Sequence, residues 1–192
     1  MQSNVVVSKV EVELKYKLLP GQRVKITRSL KKDGFKYVER VAEIDTYYTR
    51  KDVDFLKTKE CLRIRRTKDY SELTHKPSST KKMKSSGSFW KLETNIPITG
   101  QEEEMHHILI NIGMLELATV VKSRSIYKSK KITVVFDKIK KIGDYLEIEI
   151  LTDKSGTKKA IKDLILFAEH LGLKEEELVR LPYRDLVTRQ SN

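Results

Sequence analysis

Charged side chains recur at every second position in several short stretches of this sequence. The first and last stretches carry pairs of carboxylates, whereas the middle stretches carry mainly cations. The residues are Glu11, Glu13 and Lys15, Arg63 and Arg65, Lys76, Lys91 and Glu93, Lys122 and Arg124, and Glu147 and Glu149. Carboxylate oxygens suit Mg²⁺ or Mn²⁺, while Arg and Lys side chains bind phosphate oxygens. Together these residue types could bind a triphosphate with its metal.

In a β-strand, residues of equal parity share one face, so this spacing separates the charges from the apolar residues. Arg63 and Arg65, for example, alternate with Leu62 and Ile64. An antiparallel sheet with one solvated face produces the same alternation and is the commoner explanation for a single strand. However, a solvated face usually mixes in Ser, Thr, Asn and Gln, and these positions are almost purely Glu, Lys and Arg. We therefore predict a closed barrel with a charged lumen and an apolar outside covered by helices.

The elements that must position these residues are short and are separated by turn-forming residues. Alternation with β-branched and aromatic residues predicts strands at 5–17, 41–49, 61–67, 71–76, 89–94, 119–127, 131–139 and 144–151. Apolar spacing of about 3.6 residues predicts helices at 24–30, 101–113, 157–171 and 175–180. Residues 78–88 have no periodicity and are expected to form a basic loop, and the residues after Pro182 to form a tail.

Length and composition narrow the class of protein. The 192 residues contain no linker that would separate two cores, so we expect a single domain over residues 1–192. An apolar content of 39% argues against wholesale disorder. Apolar runs stay well short of the ~20 residues that span a bilayer, and the N-terminus lacks signal-peptide features, so we expect a cytoplasmic protein without a membrane partner. The single cysteine, Cys61, excludes an intrachain disulfide, and the net charge of +12 predicts an anionic partner.

The order of the motifs resembles the CYTH superfamily, the triphosphate tunnel metalloenzymes. The opening Glu-x-Glu-x-Lys at residues 11–15 is followed in the family's order by matching stretches at 45–48, 62–65, 73–76, 92–93, 122–124, 137 and 145–149. The opening pentapeptide alone is weakly specific, but the full set extends from about Glu11 to Asp185 and is highly specific. The resemblance implies an α+β fold in which an eight-stranded antiparallel β-barrel forms a triphosphate tunnel flanked by helices.

The resemblance also implies roles for individual residues. The expected metal ligands are Glu11, Glu13, Glu147 and Glu149, with Glu93 and Asp137 as further ligands or as acceptors behind them. The expected metal is Mg²⁺ or Mn²⁺, as two ions. The cations expected to bind the triphosphate are Lys15, Arg63, Arg65, Lys76, Lys122 and Arg124. Lys15 and Tyr47 are expected to be catalytic, since Tyr47 resembles the family tyrosine near the lysine of the opening motif.

Three functions fit these residues. A triphosphatase acting on inorganic triphosphate or on nucleoside or organic triphosphates ranks first, because it requires no pocket for a base or ribose. The alternative is a class IV adenylyl cyclase that converts ATP to cyclic AMP and pyrophosphate. Relatives of that class often carry Gly-Pro where this chain has Pro77-Ser78, and Ser-Tyr where it has Pro182-Tyr183. Both differences fall at the nucleoside end of the expected site.

The third function is a non-catalytic binder of polyphosphate or of RNA ends. Two groups of lysines support it, at residues 81–84 and 128–141. A solvated surface is the commoner explanation for such runs, and pure binding would leave the carboxylates unexplained. The expected partner is therefore a small molecule that contains a triphosphate, with nucleic acid less favoured and a homodimer left open.

Overall fold

The computed structural model describes residues 10–78, 90–91 and 93–190. Its strands are β1 Val10–Lys17, β2 Lys36–Arg50, β3 Cys61–Arg66, β4 Ser71–Lys76, β5 Trp90–Lys91, β6 Thr94–Pro97, β7 Met114–Lys128, β8 Thr133–Ile139 and β9 Gly143–Thr152. Its helices are α1 Gln22–Lys32, α2 Phe55–Thr58, α3 Glu102–Asn111, α4 Thr157–His170 and α5 Tyr183–Gln190, with a 3₁₀ turn at Glu175–Glu177. The predicted basic loop lies outside the described residues, apart from Ser78.

The nine strands in this part of the chain form one antiparallel sheet in the order β5-β1-β9-β8-β7-β2-β3-β4-β6. β5 and β6 therefore lie at opposite edges of the sheet, although only two residues separate them along the chain. Three residue steps span at most about 11 Å, so the sheet must curl until its two edges meet. Taken as one interrupted segment, β5 and β6 complete the predicted eight-stranded antiparallel barrel, and the predicted fold is confirmed.

Strands β2 and β7 are longer than their sequence patterns predicted. Both contain 15 residues and pair along their whole length, from Lys36 opposite Lys128 to Arg50 opposite Met114. Register shifts interrupt this ladder between Tyr37 and Glu39 and again between Tyr47 and Tyr48. Such bulges shift the alternation of side chains between faces. On β2, one of them precedes the predicted strand at 41–49 and the other falls inside it.

Helices cover the apolar outside of the barrel, as predicted. Helices α1 and α4 pack on β1, β8 and β9 through a buried cluster that includes Ile26, Leu164, Phe136 and Leu146. Helix α3 covers another part of the wall, where Leu109 contributes to a second cluster. Among the described helices, none combines the length and the apolar character needed to cross a bilayer.

The C-terminal residues differ from the prediction of a tail. They form helix α5, whose Tyr183 and Val187 pack on apolar side chains that point into the barrel, including Tyr47 and Val120. The lumen is therefore apolar at one end and charged elsewhere. The predicted helix at 175–180 is only a short 3₁₀ turn, because the backbone becomes extended at Leu178, which forms a β-bridge with Tyr16.

Candidate active site

A cavity of about 350 Å³ lies inside the barrel. The lining includes the predicted site residues other than Asp137, namely Glu11, Glu13, Lys15, Tyr47, Arg63, Arg65, Lys76, Glu93, Lys122, Arg124, Glu147 and Glu149. These residues come from β1, β2, β3, β4, β7, β9 and the segment between β5 and β6. Barrel closure thus brings side chains that are far apart in sequence together around one cavity.

Three carboxylates meet at one side of this cavity. Glu11 and Glu13 on β1 and Glu149 on β9 each offer an oxygen within 4.8 Å of the other two. Burial, together with the negative charge of Glu13, raises the pKa of Glu11 to about 7. Burial and the neighbouring Glu11 raise the pKa of Glu149 well above its usual value. A divalent cation with a preference for oxygen ligands would relieve this repulsion, so the three side chains fit Mg²⁺ or Mn²⁺.

Glu147, two residues from Glu149 along β9, has a different environment. Its carboxylate oxygens lie 3.4 Å from Lys15 Nζ and 2.6 Å from Arg124 Nη2. Burial opposes its ionisation, but the positive charges of Arg124 and Lys15 outweigh burial and hold the pKa of Glu147 below its usual value. Its charge is therefore already balanced by protein cations.

Asp137 on β8 lies behind Arg124. The Arg124 guanidinium donates from Nε and Nη2 to the two Asp137 carboxylate oxygens at 2.9 and 2.6 Å. Asp137 is buried, and this two-pronged contact fixes the plane of the guanidinium. In this structure Asp137 accepts hydrogen bonds from Arg124, a cation expected to bind the triphosphate, and its expected role at the metal stays a prediction.

Two acids that the sequence analysis did not assign, Glu43 and Asp45 on β2, hold further cations. Arg65 donates from Nε and Nη2 to Asp45 at 2.7 and 2.9 Å. Lys122 Nζ lies 3.1 Å from Asp45 and 3.0 Å from Glu43. Burial disfavours the charge on Asp45, yet Lys122 and Arg63 hold its pKa well below the usual range. Glu43, Asp45 and Tyr47 are spaced two residues apart, so the alternation in β2 already indicated that both acids lie on the same face as Tyr47.

Glu93 pairs with the remaining predicted cations. Its carboxylate lies 2.8 Å from Lys76 Nζ and 3.7 Å from Arg63 Nη2. Burial opposes the charge on Glu93, but Lys76 outweighs it and lowers the pKa. Each of the six cations predicted to bind phosphate thus contacts at least one carboxylate.

Two tyrosines border the cavity in different ways. The Tyr47 hydroxyl donates a hydrogen bond to Asp45 at 3.5 Å. Burial is the larger cause and the negative charge of Asp45 the smaller one that raise the pKa of Tyr47, so its side chain remains a neutral phenol. The aromatic ring over the ammonium group of Lys15 belongs to Tyr183, at 4.2 Å from Nζ to the ring centroid. Tyr183 and Arg184 of α5 line the cavity but were not predicted. Apolar residues at 183, 186 and 187 provided a helical signal, although a short one.

Comparisons with known proteins agree with the fold of this barrel. A model of the CYTH domain matches residues 9–183. The chain is 29% identical over 178 residues to a Methanocaldococcus jannaschii protein named Putative adenylate cyclase MJ0240, covering 92% of this chain and 98% of that relative. It resembles the solved structure of a Pyrococcus horikoshii OT3 protein with a TM-score of 0.78 and 28% identity, covering 94% and 99% of the two chains.

A third similar structure is that of Putative adenylyl cyclase HpAC1 from Hippeastrum, for which a dominant triphosphatase activity is described. The TM-score is 0.64 at 14% identity, with 96% of each chain covered. At this level of identity the likeness concerns the fold.

Proposed function

Since the chain belongs to the CYTH domain family, we propose that it is a divalent-metal-dependent triphosphatase that removes the terminal phosphate of inorganic, nucleoside or other organic triphosphates. Members of this family are metal-dependent enzymes, adenylyl cyclases or triphosphatases, that act on triphosphates. The observation that carries the proposal is the cavity itself, in which three crowded carboxylates lie beside a set of ordered cations.

The metal would be held by Glu11, Glu13 and Glu149. Their carboxylate oxygens are close together, and the pKa values of Glu11 and Glu149 stay raised because burial and mutual repulsion outweigh the nearby charges of Lys76 and Arg124. When bound, Mg²⁺ or Mn²⁺ neutralises charge on phosphate oxygens and lowers the pKa of a bound water. We propose that two such ions bind, as the resemblance to the family implies, with Glu11, Glu13 and Glu149 as the residues that would hold metal.

The cations would bind and orient the triphosphate. Asp45 and Asp137 hold Arg65 and Arg124 from behind through two hydrogen bonds each. Groups fixed in this way need little reorganisation when negative charge develops on the transferred phosphoryl group, where most of the catalytic effect of such sites arises. Lys76 and Arg63 would complete this set on the β3–β4 side of the cavity.

Lys15 and Tyr47 would act closest to the reaction. Lys15 is fixed between Glu147 and the Tyr183 ring, so its ammonium group presents a positioned charge to a phosphate oxygen. The raised pKa of Tyr47 keeps its hydroxyl protonated, and it would therefore donate a hydrogen bond rather than accept a proton.

The test is phosphate release from inorganic triphosphate, measured with Mg²⁺, with Mn²⁺ and with excess EDTA. We expect turnover with at least one metal and none with EDTA. Absence of turnover with inorganic triphosphate, ATP and other organic triphosphates under all three conditions would refute the proposal and favour the non-catalytic binder.

The second candidate is a class IV adenylyl cyclase, which the name of the Methanocaldococcus relative favours. In that reaction the ribose 3′-hydroxyl of ATP attacks the α-phosphorus and pyrophosphate leaves. Incubation with ATP followed by separation of the products distinguishes the two enzymes. Orthophosphate with ADP supports the triphosphatase, whereas cyclic AMP with pyrophosphate as the main products would replace it by the cyclase.

A further inference from the structure

Arg184 is a charged residue in an unusual place. It is the second residue of α5, only 1% of it is exposed, and it is among the largest fully buried side chains in the described part of the chain. Its Nε donates to Asp185 at 3.0 Å and its Nη2 donates to the Phe55 carbonyl at 2.8 Å. Its Nη1 donates to the carbonyl of Glu60. The guanidinium thus joins the start of α5 to the middle and to the last residue of the connection between β2 and β3.

The same connection is held to α5 at a second point. Lys59 Nζ lies 3.0 Å from the Asp185 carboxylate. The Lys59 backbone has a φ of 61°, in the left-handed region that commonly ends a helix, and Lys59 directly follows α2. The Asp185 carboxylate therefore pairs with both Arg184 and Lys59, and these two contacts fix the β2–β3 connection against α5.

Helix α5 depends on such contacts because it is short. An isolated helix of eight residues is not stable in water. Its apolar contacts come from Tyr183 and Val187, which pack on the cluster at the end of the lumen. Apolar packing alone leaves a short helix free to rotate and slide, whereas the planar guanidinium fork requires a particular orientation.

The residue that this orientation controls is Tyr183, the neighbour of Arg184. Its ring lies 4.2 Å from Lys15 Nζ and 5.6 Å from Lys122 Nζ, and it packs edge-on against Tyr145 at 5.3 Å. We propose that Arg184 is a positioning residue, which ties the start of α5 to the β2–β3 connection and thereby holds the Tyr183 ring over Lys15. The position of the Tyr183 ring does not depend on the proposed function. The expected effect on substrate binding does rest on it, because that effect assumes that Lys15 binds the triphosphate.

An arginine at this position is explained by geometry better than by stability. Replacing a buried ion pair with apolar groups of similar size is often neutral for folding. A guanidinium, by contrast, offers several donors in one rigid plane, and here three of them reach three different acceptors. Lysine would keep the charge but lose this fork.

The structural part of the inference is tested by NMR on the metal-free protein without ligand. In the wild type, the proton signal of the Lys15 methylene next to Nζ should be shifted upfield by the ring current of Tyr183. This signal is assigned by its disappearance in Lys15→Arg. We expect Tyr183→Leu, Arg184→Met and Arg184→Lys each to abolish this shift. Arg189→Met, at an exposed position on the same helix, should leave it unchanged. Circular dichroism verifies that each variant is folded, and Asp185→Asn replaces Arg184→Met if that variant is not.

The functional part is tested with inorganic triphosphate and Mg²⁺. Loss of an ordered, desolvated cation–π contact at Lys15 should raise KM about tenfold in Arg184→Met and Arg184→Lys, with a smaller change in kcat. An unchanged Lys15 shift in both Arg184 variants would overturn the inference, and so would rescue of KM by Arg184→Lys, since charge alone would then suffice. If the wild-type protein neither binds nor hydrolyses triphosphate, the proposed function fails while the NMR result still decides the positioning role.

Discussion

At the scale of single residues, the carboxylates inside this barrel have opposite electrostatic properties because their neighbours differ. Glu11 and Glu149 lie close to other acids, and their pKa values are raised. Glu147 lies on the same face of β9 as Glu149, but it contacts Lys15 and Arg124, and its pKa is lowered. We infer that the metal belongs with Glu11, Glu13 and Glu149, whereas Glu147 orients cations.

The first prediction concerns Glu11→Gln. Because the Glu11 carboxylate is buried near other acids, the neutral amide should stabilise the metal-free protein by about 1 kcal/mol at pH 7.5. The same change should reduce triphosphate turnover at least 100-fold and remove most of the increase in melting temperature on adding Mn²⁺, because a metal ligand is lost. Thermal unfolding with EDTA and with Mn²⁺, together with phosphate release, measures all three effects.

The matched control for Glu11→Gln is Glu39→Gln, at an exposed position on β2. It should leave the Mn²⁺-dependent rise in melting temperature and the turnover as in the wild type. An equal Mn²⁺ effect in Glu11→Gln and in the wild type would show that the cation binds elsewhere.

The second prediction concerns the pH dependence of stability and Asp45. The pKa of folded Asp45 lies well below the value of about 3.9 in the unfolded chain. The ionised carboxylate therefore stabilises the protein above about pH 4, and this stabilisation is lost as the pH falls through the folded pKa. Asp45→Asn should cost about 3–5 kcal/mol at pH 7, because it breaks a buried charge network.

Urea unfolding at pH 7, 5 and 3 tests this prediction. The difference in unfolding free energy between wild type and Asp45→Asn should be largest at pH 7 and should shrink at pH 3. Asp69→Asn, in an exposed turn, should show little difference at any of these values. A penalty for Asp45→Asn that does not change with pH would indicate a steric defect rather than lost electrostatic stabilisation.

At the scale of elements, period-two alternation was a reliable guide because each strand has one charged and one apolar face. It predicted β3 and β4 almost residue by residue, and it identified the cavity face of β1 and β9. It could not predict the division between β5 and β6, since that depends on which edge of the closed barrel each half pairs with. The pairing of distant strands is not encoded in local periodicity.

Helix α5 was missed for a related reason. The helix has only eight residues, and its polar residues Arg184 and Asp185 are buried, so the sequence pattern did not separate a buried face from an exposed one over the first turn. Their partners lie more than 120 residues earlier in the sequence. Glu43 and Asp45 were visible in the alternation of β2, but only the register with β3 and β7 shows that they hold Arg65 and Lys122.

The third prediction tests the outer layer formed by α4. Leu164 is fully buried against the barrel, whereas Leu166 on the same helix is 54% exposed. Leu164→Ala should lower the free energy of unfolding by about 2–5 kcal/mol, because it leaves a cavity in the core between α4 and the sheet. Leu166→Ala should change it by no more than about 0.5 kcal/mol. Chemical denaturation measures both effects, and similar losses in the two variants would contradict the packing described for α4.

At the scale of the whole molecule, the positive charge of the chain and the charge of its cavity have to be distinguished. The net charge is +12, yet the cations predicted to bind phosphate inside the barrel each contact a carboxylate. Much of the positive field that attracts a polyanion therefore originates outside the cavity, where lysines such as Lys130 and Lys131 are exposed. Bound metal and the ordered cations of the cavity would then interact with the substrate only at short range, once it has entered.

The fourth prediction follows from this separation of long-range and short-range charge. The double variant Lys130→Glu, Lys131→Glu lies in the exposed β7–β8 turn and reverses two charges that do not line the cavity. At low salt its kcat/KM for inorganic triphosphate should be several-fold below that of the wild type, because a less positive molecule attracts the substrate more weakly. Since the Debye length is about 3 Å at 1 M salt, the two proteins should converge there, with kcat equal throughout. Identical kcat/KM values at low salt, or a difference that persists at high salt, would show that these lysines contribute no long-range steering.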